Sequence, residues 1–260
     1  MNILMNTGTS LDIYAHRGST ILAPENTATA FELALAYGAD VLEIDVRLSR
    51  DGHVIVTHDA TVDRTSNGHG NVDQLRLSQL KRLDAAHHFT DLVGKKYRGK
   101  GIQFITLDEM FEVFSTTRIN IDIKDNTPKA AEAVVKAIEK AGKQKLVNVG
   151  SFHSSALAHF RKQAPEVTTA ATQSEVAKLY FGGMFSTPGH YQYLQIPTNY
   201  FGIPLAPAWF IDKARQRDIQ TVYWTINDIG TMSSLAAKGV DGLVTDRIDL
   251  ACQLRESLKS

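Results

Sequence analysis

Two short runs decide the fold: Val41-Leu42-Glu43-Ile44-Asp45-Val46 and Ile119-Asn120-Ile121-Asp122-Ile123-Lys124. Side chains two apart along a strand share a face. Leu42, Ile44 and Val46 therefore point one way and pack on helices, as do the isoleucines of the second run. Glu43, Asp45, Asn120, Asp122 and Lys124 point the other way, into the interior of a closed sheet. Working outward from these runs, further apolar or β-branched stretches lie near 11–15, 146–150, 167–171, 193–196, 221–225 and 242–245. Helical patterns fall near 26–37, 107–114, 128–141, 154–163, 207–216, 229–238 and 248–257. A strand–helix alternation repeated about eight times predicts an α/β chain of the (β/α)8 TIM-barrel class. An open doubly wound sheet would carry a glycine-rich phosphate loop after its first strand, and His16-Arg17-Gly18-Ser19-Thr20 stands there instead.

The chain has 260 residues, close to the roughly 250 of one such barrel, and no Pro/Ser-rich linker divides it, so a single domain over 1–260 is expected. Two places break the rhythm. The stretch between 46 and 119 is too long for one connecting helix. It reads as a strand extension (Val54-Ile55-Val56-Thr57-His58-Asp59) followed by a small insertion around 60–105 after the second barrel strand. The stretch 181–193, rich in glycine and aromatics and containing Pro188, reads as an irregular loop with a short helix. Long βα loops line the active face of such barrels, so both are candidate substrate walls.

Lysine plus arginine and aspartate plus glutamate both total 28, giving a formal net charge of zero. That balance carries no nucleic-acid footprint and no pull toward an anionic membrane. No apolar stretch approaches the roughly 20 residues of a membrane helix. Met1–Ser10 shows no basic stretch followed by an apolar run, so a cytoplasmic location is expected. The lone cysteine, Cys252, lies in a helical pattern far in sequence from the histidines and reads as a half-buried packing residue rather than a catalytic thiol.

Glu43, Asp45 and Asp122 aimed into a barrel interior would cost several kcal/mol each if uncompensated, on the order of any buried charge. A divalent cation answers that cost. Hard oxygen ligands without cysteine favour magnesium or calcium, with manganese a further option, over zinc. The competing account pairs the acids with Arg17, Arg47 or Lys124 as a polar barrel layer. Two histidines tip the balance toward chemistry: His16 ends the first strand and His58 ends the run 54–57, and strand C-termini are where barrel enzymes hold catalytic groups. Such a pair suits phosphodiester cleavage, one taking a proton from the attacking hydroxyl and the other protonating the leaving alkoxide. Arg17 offers a planar fork for phosphate oxygens and Lys124 a point charge. His53, His69, His87, His88, His153, His159 and His190 read as ordinary structural residues.

The ordered set His16-Arg17-Gly18, Pro24-Glu25-Asn26-Thr27, Ala30-Phe31, Gly38-Ala39-Asp40, Glu43-Ile44-Asp45-Val46, Asp51-Gly52, His58-Asp59, Arg64-Thr65 and Gly68 resembles the glycerophosphodiester phosphodiesterases. Trp224-Thr225-Ile226-Asn227-Asp228, Gly239-Val240-Asp241-Gly242 and Thr245-Asp246 extend the resemblance, which spans roughly 12–250. It implies metal-dependent hydrolysis of a small-molecule glycerophosphodiester, such as glycerophosphocholine or glycerophosphoethanolamine, to sn-glycerol 3-phosphate and an alcohol. It further implies His16 and His58 as the acid/base pair, Arg17 on the phosphate, and one divalent ion on Glu43, Asp45 and a third-strand acid. The family often has glutamate there with lysine two residues on; Asp122 and Lys124 occupy those positions here. Glu25 is expected to orient Arg17 or approach the metal, its alternative role being to favour the following helix N-terminus. Trp224 and Asn227 fall near the end of the seventh strand, as pocket lining or, for Trp224, plain packing. Two alternatives stand beside this reading: a lysophospholipase D-like phosphodiesterase, with the aromatics of 181–185 and 191–201 accepting an acyl chain, and a non-catalytic phosphoester-binding barrel. Oligomeric state is left open.

Overall fold

The alternation of the two opening runs becomes real strand faces. In the computed structural model, which describes residues 11–182 and 190–259, Leu42, Ile44, Ile119 and Ile121 are buried against helices. The polar set lies on the opposite face of the same strands. Each such aliphatic side chain contributes roughly 1.5–3 kcal/mol by leaving water. The expectation for Met1–Ser10, and Met184, Phe185 and Pro188 of the expected 181–193 loop, lie outside the described residues.

The chain runs β1 (Asp12–His16), α1 (Ala28–Tyr37), β2 (Val41–Leu48), β3 (Val54–Val56), α2 (Leu77–Leu80), α3 (Leu107–Val113), β4 (Arg118–Ile123) and α4 (Pro128–Ala141). There follow β5 (Val147–Gly150), α5 (Ser154–Gln163), β6 (Thr168–Thr169), α6 (Gln173–Phe181), β7 (Tyr193–Ile196), and the small hairpin β8 (Asn199–Tyr200) and β9 (Ile203–Pro204). The last elements are α7 (Ala208–Arg215), β10 (Gln220–Tyr223), α8 (Ile229–Ala237), β11 (Gly242–Thr245) and α9 (Ile248–Lys259). Parallel neighbours run in the order β6-β5-β4-β2-β1-β11-β10-β7. A parallel bridge between Ala170 and Tyr193, with Ala171 N donating to Tyr193 O at 2.8 Å, spans the remaining gap between β6 and β7. The expected (β/α)8 barrel is borne out.

Register stacks the polar residues in layers. Asp45 lies opposite Asp122, which lies opposite Gly150; one layer below, Glu43 lies opposite Asn120, which lies opposite Asn148. Lower still, Tyr14, Val41, Val222 and Val244 form a separate apolar cluster among the barrel strands. Helix ends follow local chemistry. Thr27 and Thr127 accept from backbone N–H groups as N-caps, and α4 opens on a proline and closes on Gly142 in the left-handed region.

After β2 the chain doubles back as β3, antiparallel to it, and the following stretch gathers Ile55, Val62, Val72, Leu80, Ala85 and Phe104 into a small apolar cluster. Two elements differ from expectation. Helix α6 occupies 173–181, where no helix is expected before 181, and the β8–β9 hairpin falls where no strand is expected. Cys252 is buried on α9. Among the described residues, no helix is long and apolar enough to cross a membrane.

Candidate active site

At the C-terminal end of β1 the chain makes a tight turn through Arg17 (φ 51°), Gly18 (φ 81°) and Ser19 (φ 89°). Gly18 is needed twice over: its φ is left-handed, and a Cβ there would meet the Ala30 Cβ at 2.7 Å and the Ala30 carbonyl carbon at 2.9 Å. The turn packs against helix α1 at Gly18 and leaves His16 and Arg17 lining the barrel mouth.

His16 Nδ1 lies 2.8 Å from Asp246 Oδ1. The register explains the meeting: β11 pairs with β1, Thr245 opposite Ala15, so the next residues, Asp246 and His16, face each other at the strand ends. Asp246 also accepts from Thr20 Oγ1 (2.7 Å) and from Asn227 Nδ2 (2.9 Å), while Asn227 Oδ1 accepts from the Asp246 N–H. Burial opposes its charge, but the hydrogen bond and charge of His16, with Asn227 and Thr20, hold its carboxyl down at about 2. Burial would lower His16, yet the Asp246 hydrogen bond and the negative Glu43 outweigh it and raise the imidazole above its usual value.

His58 has a partner of its own. Its Nδ1 lies 2.7 Å from Asp59 Oδ1, and Asp59 Oδ2 accepts from Arg64 Nε at 2.5 Å. An ionised carboxylate can only accept, so in each neutral histidine the proton sits on Nδ1 and the Nε2 lone pair is left for chemistry. Both histidines line one cavity of about 490 Å³ at the barrel mouth.

The acids line the same cavity. Asp45 is paired on two sides, with Arg17 Nε at 2.9 Å from Oδ2 and Lys124 Nζ at 2.9 Å from Oδ1. The Arg17 N–H is not aimed along that first contact, so it is an ion pair rather than a hydrogen bond. Asn26 Nδ2 adds a bond of 3.0 Å to Asp45 Oδ2. Lys124 also holds Asp122 Oδ2 at 2.6 Å, leaving the buried Asp122 Oδ1 without a partner among the described residues. Glu43 accepts the Arg17 backbone N–H at 2.9 Å. Burial and then the negative Asp45 push Glu43 up to about 7, and burial raises Asp122 as well. Burial also works against Asp45, but Lys124 and Arg17 override it and hold the group low. Lys124 is kept protonated because Asp122 and Asp45 outweigh its own burial.

Nearly all the expected residues converge here. His16, Arg17, Glu43, Asp45, His58, Asp122, Lys124 and Trp224 line the cavity. Glu25 stands behind Arg17, accepting from its Nη1 at 3.0 Å, and Asn227 stands behind His16 through Asp246. Of the pairings weighed for the acids, Arg17 and Lys124 are found and Arg47 is not: it pairs with Asp125 at 2.7 Å. Glu43, Asp45 and Asp122 are not gathered into a ready three-ligand group among the described residues, Lys124 and Arg17 instead occupying the sides of Asp45 and Asp122. None of the histidines read as structural lines the cavity. Asp246, Asp59, Asn26 and Arg64 join the site without being expected there. Asp246 had a signal, since it follows the last apolar run as His16 follows the first. The far wall is apolar, built by Val176 and Tyr180 of α6, Ile203, Leu205 and Trp224, with Phe152 edge-on to Trp224 at 5.8 Å between centroids.

The sequence model of the glycerophosphoryl diester phosphodiesterase family matches residues 16–250, which takes in every side chain of the site. The chain belongs to that family. A glycerophosphodiester phosphodiesterase of Caldanaerobacter subterraneus subsp. tengcongensis is 34% identical over 245 residues, 90% of this chain and 93% of the relative. The crystal structure of a glycerophosphodiester phosphodiesterase from Agrobacterium tumefaciens superposes with a TM-score of 0.79 at 28% identity, covering 95% of this chain and 99% of that one. A phosphodiesterase of Oleispira antarctica, solved with the product sn-glycerol-3-phosphate, has a TM-score of 0.76 at 25% identity over 96% of this chain and 97% of its own. The protein is an enzyme, a phosphodiesterase built on a TIM barrel.

Proposed function

We propose that the enzyme hydrolyses glycerophosphodiesters to sn-glycerol 3-phosphate and an alcohol, with His16 and His58 as its acid/base pair. One observation carries the reading. Two histidines, each held at Nδ1 by its own aspartate, share a cavity with the cations and carboxylates a phosphodiester needs. Arg17 and Lys124 bind the phosphate oxygens and offset charge gathering there as the bond breaks. One histidine takes the proton of the attacking hydroxyl at Nε2, and the other returns a proton to the departing alkoxide. The same pair serves either nucleophile. If the glycerol 2-hydroxyl attacks first, a cyclic phosphate forms, and the two histidines exchange roles when water opens it.

Glu43, Asp45 and Asp122 are the residues that would hold a divalent cation. The donor chemistry fits: the donors are hard oxygens, Asp122 Oδ1 is buried and unpartnered among the described residues, and Glu43 is driven toward protonation by burial and the negative Asp45. When bound, magnesium or calcium would neutralise phosphoryl charge and acidify the attacking hydroxyl.

The test is release of sn-glycerol 3-phosphate from glycerophosphocholine and glycerophosphoethanolamine, with EDTA and after return of magnesium, calcium or manganese. Turnover lost to the chelator and restored by a metal supports both site and reaction. A second reading, a lysophospholipase D-like activity, draws on the apolar wall of Val176, Tyr180, Ile203 and Leu205. Turnover of lysophosphatidylcholine in preference to the water-soluble diesters would favour it. No turnover of either substrate with any metal would defeat the proposal.

A further inference from the structure

Arg64 sits outside the barrel, in the stretch after β3, and does not line the cavity. That stretch is tied down around it. Val62 and Ser66 are buried, Val62 N donates to Gly70 O at 3.0 Å, and the Ser66 hydroxyl donates to Val62 O at 2.7 Å. Two residues on, a Cβ at Gly68 would come within 2.7 Å of Leu83. From this anchored turn the Arg64 guanidinium reaches two carboxylates. Its Nε donates to Asp59 Oδ2 at 2.5 Å, and Nη1 and Nη2 donate to the two oxygens of Glu25 at 2.7 and 2.8 Å.

Both carboxylates are already engaged from the other side. Asp59 Oδ1 meets His58 Nδ1, and Glu25 Oε1 accepts from Arg17. Arg64 thus closes a chain from His58 through Asp59 and Glu25 to Arg17. Its side chain is 48% exposed, and ion pairs that open to water add little to stability. Geometry is a different matter: a misplacement of about 1 Å at a reacting group costs on the order of 10²-fold in rate. A planar fork with donors on two edges can hold two carboxylates in fixed relation, which a lysine ammonium cannot.

We propose that Arg64 is a positioning residue that locks the acid/base group His58, through Asp59, to the phosphate-binding Arg17, through Glu25. The proposal rests on the roles given to His58 and Arg17 above. Its test uses the full-length protein and the variants R64A, R64K, D59N and H58A. R64A is expected to fold, with a melting temperature within a few degrees of the parent. It should lose about 10–100-fold in kcat/KM, the loss seen for supporting partners of site residues. The loss is shared between a lower kcat, through His58, and a higher KM, through Arg17. R64K should recover little, because charge without the fork does not align two groups. In the D59N background R64A should leave kcat nearly unchanged and still raise KM. R64A or R64K within twofold of the parent, with H58A inactive, overturns the proposal. An inactive parent defeats the hydrolytic reading instead. The positioning claim is then decided by imidazole NMR and by titration with inorganic phosphate. A His58 Nδ1 proton signal lost, and phosphate affinity weakened, in R64A sustain it; both unchanged refute it.

Discussion

The two histidines differ in how they are held. His16 is backed by a buried carboxylate that Thr20 and Asn227 also address, whereas Asp59 behind His58 is shared with the half-exposed Arg64. Asp246→Asn keeps the shape and removes the charge, and an amide there can present its NH2 to Nδ1 and select the wrong tautomer. A loss of about 10²–10⁴-fold in kcat is expected, the usual worth of positioned acid–base catalysis. A loss below tenfold would release Asp246 from any part in the chemistry. The same substitution has a pH signature in stability. Asp246 is depressed to about 2 in the folded chain against an ordinary carboxylate near 3.9 when unfolded. Below both values nothing is gained. Between them the unfolded chain binds more protons, so stability climbs with pH and is fully present above about 5. His16 runs the other way: raised above its usual 6.5, it contributes fully below that value and loses its contribution as pH rises through the folded value. The gap in melting temperature between parent and D246N should therefore be widest near pH 5–6 and shrink on either side. A gap that stays flat from pH 3 to 9 would contradict the coupling of these two groups.

Elements differ in how openly the sequence announces them. The barrel strands all fall within two residues of expectation at each end, β6 being trimmed to Thr168–Thr169, because aliphatic alternation fixes their faces. The acids of β2 and β4 were legible by the same parity, and register then made neighbours of Asp45 and Asp122. Helix α6 was missed because its apolar residues are sparse between Gln173 and Lys178. Its real signal is the capping box Thr172-Gln173-Ser174-Glu175, in which Thr172 and Glu175 satisfy each other's backbone N–H groups. The partners of the histidines were harder to read. Asp246 is 230 residues from His16, and only barrel closure joins them. Arg64 reaches Glu25 across 39 residues, from a stretch with no period of its own. Gly18 belongs to this scale too, because the turn after β1 and helix α1 share its space. Gly18→Ala combines a left-handed φ, about 1–2 kcal/mol for a residue with a Cβ, with overpacking against Ala30 and Phe31, about 1–3 kcal/mol. A destabilisation of about 2–5 kcal/mol in urea unfolding is expected. A value under 1 kcal/mol would mean the turn relaxes without strain.

On the scale of the whole molecule, a chain of zero net charge still draws five charged side chains into its barrel mouth. Glu43, Asp45 and Asp122 meet Arg17 and Lys124 in the barrel mouth, where low dielectric makes every imbalance expensive. The imbalance is visible in Glu43, pushed up to about 7, and in the unpartnered Asp122 Oδ1. A divalent cation bound there would relieve a cost carried by the folded chain alone, since the unfolded chain leaves these acids apart in water. Binding to the folded state alone adds about 2.7 kcal/mol of stability at a hundred times Kd. For a domain of about this size each kcal/mol moves the melting temperature by roughly 2–4 °C. Saturating magnesium or calcium should thus raise the melting temperature of EDTA-treated protein by roughly 5–10 °C, in the absence of any substrate. Asp122→Asn removes one charged oxygen ligand and should cut that rise to less than half, while H58A, which leaves the acids intact, should keep it. Melting temperatures unmoved by magnesium, calcium and manganese alike would leave Lys124 and Arg17 as the counter-charges of the site. The polar barrel layer would then account for the acids without a metal.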